Sequence, residues 1–437
     1  MKKYISKALC LVLLLSMVIT GCGQQSSNST AGSNSAAGKA AAGSTASASA
    51  SGKKVTVEFW TISMQPMFTD LFNQKFAEYE KANPNVTIKW VDLPYEDIQT
   101  KLVAAIAGGT APDVVNLNTQ MALSLAGKNA LVDLNKEATA QQKSIYIQSL
   151  YNSAKIGNSV YAFPWYAAPD ILLYNTDLMK KAGITEIPAT YDEANKYAEQ
   201  MKQKTGAYLY TPAEFFNLLF EYGIPVLNKD NTAAAFNTQK SVDLLNSFKT
   251  YTQKDILPKT KWGSWDDEMK LYETGKLAIL STSGSALTRI KDEAPDVYAA
   301  TAVGKPLKGT AGISRNALMN IVVPSASKNH EEAIKFAAYI TNDENQLAID
   351  KKDVIFPSTI AATKDSYFTS DTKTIDGQAR AMSVSVSTTS EDYSLGVENQ
   401  NDIQTAVNKA FEAAITSGKD TKESLKNAED AVNQVLK

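Results

Sequence analysis

Residues 55–437 of this 437-residue chain are too many for one hydrophobic core and suit two domains. A composition 44% hydrophobic and 21% charged, with a formal charge of −2, is that of a globular protein and excludes the basic surface of a nucleic-acid or anionic-membrane binder. Both cysteines lie within the first 22 residues, so the remainder has neither a disulfide nor thiol chemistry.

Met1 to Gly21 has the layout of a secretion signal, with Lys2, Lys3 and Lys7 as its charged end and Ala8 to Ile19 as its apolar run. That run is too short to span a bilayer. Its removal takes Cys10 with it and moves the formal charge from −2 to −5, because three lysines go. The ending Ile19-Thr20-Gly21-Cys22 resembles a bacterial lipobox, which implies a diacylglyceryl group on Cys22. Several acyl chains there would anchor the protein durably, as one chain would not. Residues 22–54 then form the lipidated cysteine and a tether built almost wholly of Ser, Ala, Gly, Asn, Thr and Gln, with nothing to bury. A flexible tether of this length has a mean reach on the order of 30 Å.

The first lobe opens with a strand in which Val55, Val57 and Phe59 share one parity. Phe68, Leu71, Phe72 and Phe76 are spaced for one helix face that stops at Asn83-Pro84, and an alternating strand from Val86 to Val91 puts Trp90 in the core. A second helix (Ile98, Leu102, Ala105, Ile106) runs into Gly108-Gly109, and a strand follows from Val114 to Leu117. This alternation predicts a mostly parallel sheet with helices on both faces, and such sheets bind ligands beyond the carboxyl ends of their strands. Those ends carry Trp60, Ser63, Gln65, Asp113 and Asn118.

The stretch Tyr161 to Gly183 joins the two lobes. A strand ends at Pro164, the aromatic pair Trp165 and Tyr166 follows, and a second strand, Ile171 to Tyr174, leads into a helix at Asp177. Large aromatics at a proline break are placed to line a cleft. In the second lobe, helices are expected over 191–204 and 241–251, then the pair Trp262 and Trp265. A strand from Leu277 to Leu280 ends in a small-residue turn, Ser283-Gly284-Ser285, whose free amides before a helix could take an anionic or hydroxyl group. A strand from Met319 to Val323, a helix over 331–341 and two amphipathic C-terminal helices complete the chain.

In order, the phrases VTVEFW at 55, FAEYEKANP at 76, AAIAGGTAPDVV at 104, FPWY to LLYNTDL, GKLAILSTSG at 275 and AIKFAAYIT at 333 make the chain similar to the family 1 extracellular solute-binding proteins, the maltose-binding-like receptors of carbohydrate importers driven by ATP hydrolysis. The resemblance implies two α/β lobes in the periplasmic-binding-protein type II arrangement, with the ligand held between them. By position, the chain would cross near 163–166, 300–303 and 342, giving a first lobe of 55–164 plus 302–341 and a second of 165–301 plus 342–437. It further implies a carbohydrate ligand and an ABC permease with its cytoplasmic ATPase as partners. The protein would be a monomer on the outer face of the cell membrane, reaching the membrane through its lipid anchor alone and binding no nucleic acid, cofactor or metal.

Two departures bear on the ligand. Where many sugar receptors carry an acidic residue about two after the aromatic pair, this chain has Ala167-Ala168-Pro169, and where many have Gly-Pro-Trp after the late strand it has Gly284-Ser285-Ala286. The Arg315-Asn316-Ala317 stretch looks closer to receptors for glycerol-phosphate compounds, and a polyamine or peptide ligand is a further alternative. A pyranose offers an apolar face and a hydroxyl rim, so rings at Trp60, Trp165, Tyr166, Trp262 and Trp265 and polar groups at Asn118, Arg315, Asn316 and Asn320 are the expected ligand set. An enzyme is the weaker reading. Asp266, Asp267 and Glu268 could form an acid–base pair, but they open a helix whose dipole they complement, and His330, the single histidine, has no partner at triad or metal spacing.

Overall fold

The computed structural model describes residues 54–260 and 262–437. The signal, Cys22 and all but the last residue of the tether therefore lie outside the described residues. Twelve strands are present among them: β1 (Val55–Ile62), β2 (Val86–Leu93), β3 (Val114–Asn118), β4 (Lys155–Ile156), β5 (Ser159–Val160), β6 (Phe163–Pro169), β7 (Ile171–Asn175), β8 (Ile279–Thr282), β9 (Thr301–Gly304), β10 (Ser314–Val322), β11 (Phe356–Pro357) and β12 (Ser390–Glu391). The first sheet has the order β11-β6-β10-β3-β1-β2, with β12 added beside the start of β10. Its β1, β2 and β3 are parallel, as the alternation of strands and helices predicts, whereas β10 runs antiparallel to both β3 and β6. The second sheet is β8-β7-β9, antiparallel throughout.

Each sheet belongs to one α/β lobe with its own core. In the first, the helix Thr69–Ala82 lays Phe72 and Phe76 against Phe59 of β1 and Phe336 of the helix His330–Ile340, and all four rings are buried. Trp90 packs its ring edge-on at 5.3 Å from Phe72, in keeping with its expected core place, and its indole N–H donates to Thr61 Oγ1 at 2.7 Å. The second lobe buries Phe215, Phe216, Phe248 and Leu245 together with Ile403, Val407 and Phe411 from the C-terminal helix Gln400–Phe411.

The chain passes between the sheets later than the sequence suggests. The strand expected to stop at Pro164 continues as β6 to Pro169, because its pairing with β10 shifts register between Met319 and Asn320. That bulge accommodates a residue with no amide N–H. The first crossing therefore falls at Asp170, between β6 and β7, and the second between β9 and β10, after Gly304. After the helix His330–Ile340 the chain lends Val354 to the second-lobe core, returns to the first sheet through β11 and Phe368, and joins the second-lobe core for good at the helix Ile375–Val386.

The same bulge overturns the expectation that Trp165 lines a cleft. It lies opposite the register shift, and its ring is fully buried, stacked at 5.9 Å on Phe72 and edge-on at 6.1 Å to Phe59. The Ser358 hydroxyl sits 2.7 Å from the Pro164 carbonyl oxygen and 3.1 Å from that of Trp165, satisfying backbone the bulge leaves without a ladder partner. Trp165→Ala should therefore cost about 3–5 kcal/mol of folding stability. Chemical denaturation checks this, and an unchanged midpoint would return Trp165 to the surface.

Candidate functional site

A cavity of 390 Å³ opens where the two crossings meet. Its floor is the pair that carries the chain from one lobe to the other: Asp170, directly after β6, and Arg315, the second residue of β10. The Asp170 amide donates to the Arg315 carbonyl at 2.9 Å, and the Arg315 Nε stands 3.4 Å from Asp170 Oδ2. The nearby carboxylate holds the guanidinium firmly protonated. Burial pushes the Asp170 carboxyl above its ordinary value, and Arg315 pulls it only part of the way back.

The first-lobe wall comes from Asn118 at the end of β3 and Thr119 just after it. Asn118 caps the helix Thr119–Gly127 by accepting from the Met121 amide at 2.8 Å, while its own amide group donates to Tyr95 Oη at 2.6 Å. Thr119 accepts from Asn320 Nδ2 at 3.0 Å and donates to Asp392, so it links the first sheet to a second-lobe carboxylate across the cavity. Beside it, Gln120 donates to Gln404 Oε1 at 2.8 Å.

The second lobe supplies most of the charge. Glu214, just before the helix Phe215–Glu221, accepts from Gln404 at 2.9 Å and Asn408 at 3.0 Å. Gly263 approaches it so closely, at φ +73°, that a Cβ there would lie 2.1 Å from Glu214 Cγ, and only glycine fits. Glu268, buried in the first turns of the helix Trp265–Glu273, accepts from the Gly263 amide at 2.9 Å. Glu221, 4% exposed at the end of its helix, receives a long hydrogen bond from Tyr393 Oη at 3.4 Å; the Tyr191 hydroxyl stands beside the carboxyl, and Oε2 has no hydrogen bond of ordinary geometry. Trp265 is the exposed indole of the cavity, 46% accessible. It is held by a 3.2 Å hydrogen bond to Thr282 and by Arg289, whose Cζ lies 5.0 Å from the ring centre. Among the described residues no three carboxylate or imidazole groups converge as they would around a metal ion.

Of the expected ligand residues, the structure gathers Asn118, Trp265 and Arg315 in this cavity. The others sit elsewhere for identifiable reasons. Asp113 stands at the start of β3, not at its carboxyl end, and binds the Glu58 amide, Ser327 and Asn329. Trp60 donates to Glu58 at 2.7 Å on the edge of a first-lobe core. Ser63 and Gln65 belong to a turn whose Met64 and Gln65 amides bind Asp92. Trp262 is 3% exposed, its ring 4.1 Å from Phe411. Tyr166 packs on Trp165 at 5.2 Å and is absent from the cavity wall. Ser283 and Ser285 bond to each other at 2.7 Å, and Gly284 is pressed against Val354, where a Cβ would come within 2.4 Å of Cγ1. Asn316, buried at 2% exposure, points away from the face that Arg315 presents, as strand alternation requires. Asn320 contributes only by holding Thr119. His330 meets the Ser325 carbonyl outside the cavity.

The sequence reading missed Asp170, Glu214, Glu221 and Asp392. Asp170, directly after the Ala167-Ala168-Pro169 stretch, brings a carboxylate to the cavity because the strand runs on to Pro169. Desolvation pushes Glu221 to about 8, Glu268 to about 7 and Asp392 to about 6. Because these folded-state values lie above the ordinary carboxyl range, the folded protein holds more protons than the unfolded chain from about pH 4.5 to 8, so stability falls as pH rises through that window. Asp350 and Asp353, away from the cavity, shift in the same sense. Melting temperature without ligand should thus drop between about pH 5 and 8, and Glu221→Gln should flatten the upper part of that fall. A wild-type melting temperature that stays level or rises across this range would contradict it.

Residues 74–375 match the bacterial extracellular solute-binding protein family. A structure of a protein assigned as an oligosaccharide periplasmic-binding protein of Synechococcus sp. MITs9220 superimposes with a TM-score of 0.81 at 26% identity, covering 87% of this chain and 98% of that one. The arabinooligosaccharide-binding protein of Bacillus subtilis is 23% identical over 79% of this chain and 77% of its own, and the diacetylchitobiose binding protein of Streptomyces coelicolor is 23% identical over 70% and 74%. With the two-lobe architecture and the cavity at its crossings, these matches establish that the chain belongs to the bacterial extracellular solute-binding protein family.

Proposed function

We propose that the protein captures a carbohydrate between its lobes and delivers it to the permease subunits of an ABC importer with a cytoplasmic ATPase. The observation that carries this reading is the cavity itself: one exposed indole, Trp265, faces a wall of carboxylate and amide groups. A sugar ring needs both, an aromatic face for its C–H surface and acceptors and donors for its hydroxyl rim. Relatives that bind arabinooligosaccharides and diacetylchitobiose support the class of ligand. A glycerol-phosphate compound suits the cavity poorly, since the single cation among its described residues, Arg315, is already engaged by Asp170, one of five acidic side chains in the lining. The role we propose is binding and delivery, in keeping with the solute-binding description of the family.

A panel of mono-, di- and oligosaccharides should contain a compound that raises the melting temperature, because a ligand that binds only the folded state stabilises it. Trp265→Ala should weaken binding of that compound by about ten- to a hundredfold while leaving the melting temperature of the free protein nearly unchanged. Unaltered affinity in that variant would remove the indole from the site.

We also infer that Cys22 is lipidated and holds the protein on the outer face of the membrane, the tether setting the folded part clear of the surface. The support is the Ile19 to Cys22 motif and the composition after it. Fractionation of cells producing Cys22→Ala should find the protein released. Retention of that variant, with no lipid mass on the wild type, would refute the anchor.

A further inference from the structure

The further inference rests on the carbohydrate reading of the same cavity and concerns which carbohydrates it admits. Among the described residues, five carboxyl groups line the space, Asp170, Glu214, Glu221, Glu268 and Asp392, against the one guanidinium of Arg315. Four of the five have a charged or hydrogen-bonding partner that leaves neither oxygen as a buried orphan: Asp170 has Arg315, Glu214 two side-chain amides, Glu268 the Gly263 amide and Asp392 the Thr119 hydroxyl. Glu221 differs. It is 4% exposed and stands in the cavity wall; Tyr393 reaches its Oε1 at 3.4 Å and the Tyr191 hydroxyl stands beside the carboxyl, but Oε2 has no hydrogen bond of ordinary geometry. A buried acceptor without a donor is costly, and the cost falls when a ligand brings one.

A neutral hydroxyl could provide the donor but not the charge. Ionising several desolvated carboxyls around one already paired arginine is unfavourable unless positive charge enters with the ligand. An ammonium group brings both, and its hydrogen bonds to a carboxylate are stronger than those of a hydroxyl. We propose that this cavity selects a saccharide carrying a protonated amine, its apolar face on Trp265 and its ammonium toward Glu221.

Titration calorimetry with four probes tests this: the β-1,4-linked glucosamine disaccharide, its N-acetylated counterpart, cellobiose and spermidine. The glucosamine disaccharide should bind about ten- to a hundredfold more tightly than cellobiose, the value of one charge-assisted hydrogen bond. Added salt should weaken the amine-bearing sugar and leave cellobiose unmoved. Glu221→Gln should reduce the preference to within a few-fold, and the wild-type ranking decides alone if that variant does not fold. Equal or tighter binding of cellobiose or the N-acetylated sugar overturns the amine preference and leaves the carbohydrate reading standing. Binding of spermidine with none of the three sugars overturns the carbohydrate reading too, and failure of all four probes overturns the preference.

Discussion

The ion pair between Asp170 and Arg315 is the constraint on which the rest of the site depends. It ties together the first two places where the chain passes from one sheet to the other, since Asp170 directly follows β6 and Arg315 is the second residue of β10, and a backbone hydrogen bond of 2.9 Å doubles the link. A pair of this kind, long at 3.4 Å and with the arginine side chain still 42% exposed, adds little net stability, because solvent screens the attraction. Its value is positional. It sets a fixed positive charge in a cavity whose other charged groups, among the described residues, are acidic, and the fields of Glu214 and Asp392 reach the same guanidinium.

From that floor upward, the two lobes contribute different chemistry. The first offers neutral groups, Asn118 and Thr119, placed by the end of a buried parallel strand and by the helix cap that follows it. The second offers Trp265 and the carboxylates, placed at helix ends where backbone amides and close glycine approaches are available. Thr119 with Asp392 and Gln120 with Gln404 connect the two walls directly. A ligand entering here meets groups from both lobes at once, which is what lets binding energy act on their relative arrangement.

Much of the fold was legible in the sequence. Apolar spacing located the helices Thr69–Ala82, Tyr95–Ala107 and Tyr191–Thr205, and parity located the buried face of β1, with Val57 and Phe59 both inaccessible. Pro164 misled. As punctuation it ends a strand, but the bulge opposite Met319 and Asn320 lets the strand continue, and this moved Trp165 from cleft to core and the crossing to Asp170. Such a pairing irregularity depends on a partner more than 150 residues away and leaves no local trace. The site was legible only in part for a similar reason. Asn118, Trp265 and Arg315 stood beside recognisable strand ends or turns. Glu214, Glu221 and Asp392 lie in unremarkable stretches that only the tertiary fold brings to one cavity, and Glu268 reads locally as one more acidic residue at a helix start.

A crystal structure of the protein with a bound saccharide tests the central claim most directly. The account predicts a sugar ring against the indole of Trp265, with a donor within hydrogen-bonding distance of Glu221 Oε2 and the Asp170–Arg315 pair intact beneath it. A saccharide seated elsewhere, such as in the groove between the helices Gln400–Phe411 and Thr421–Val435, with the interlobe cavity left to water, would contradict it.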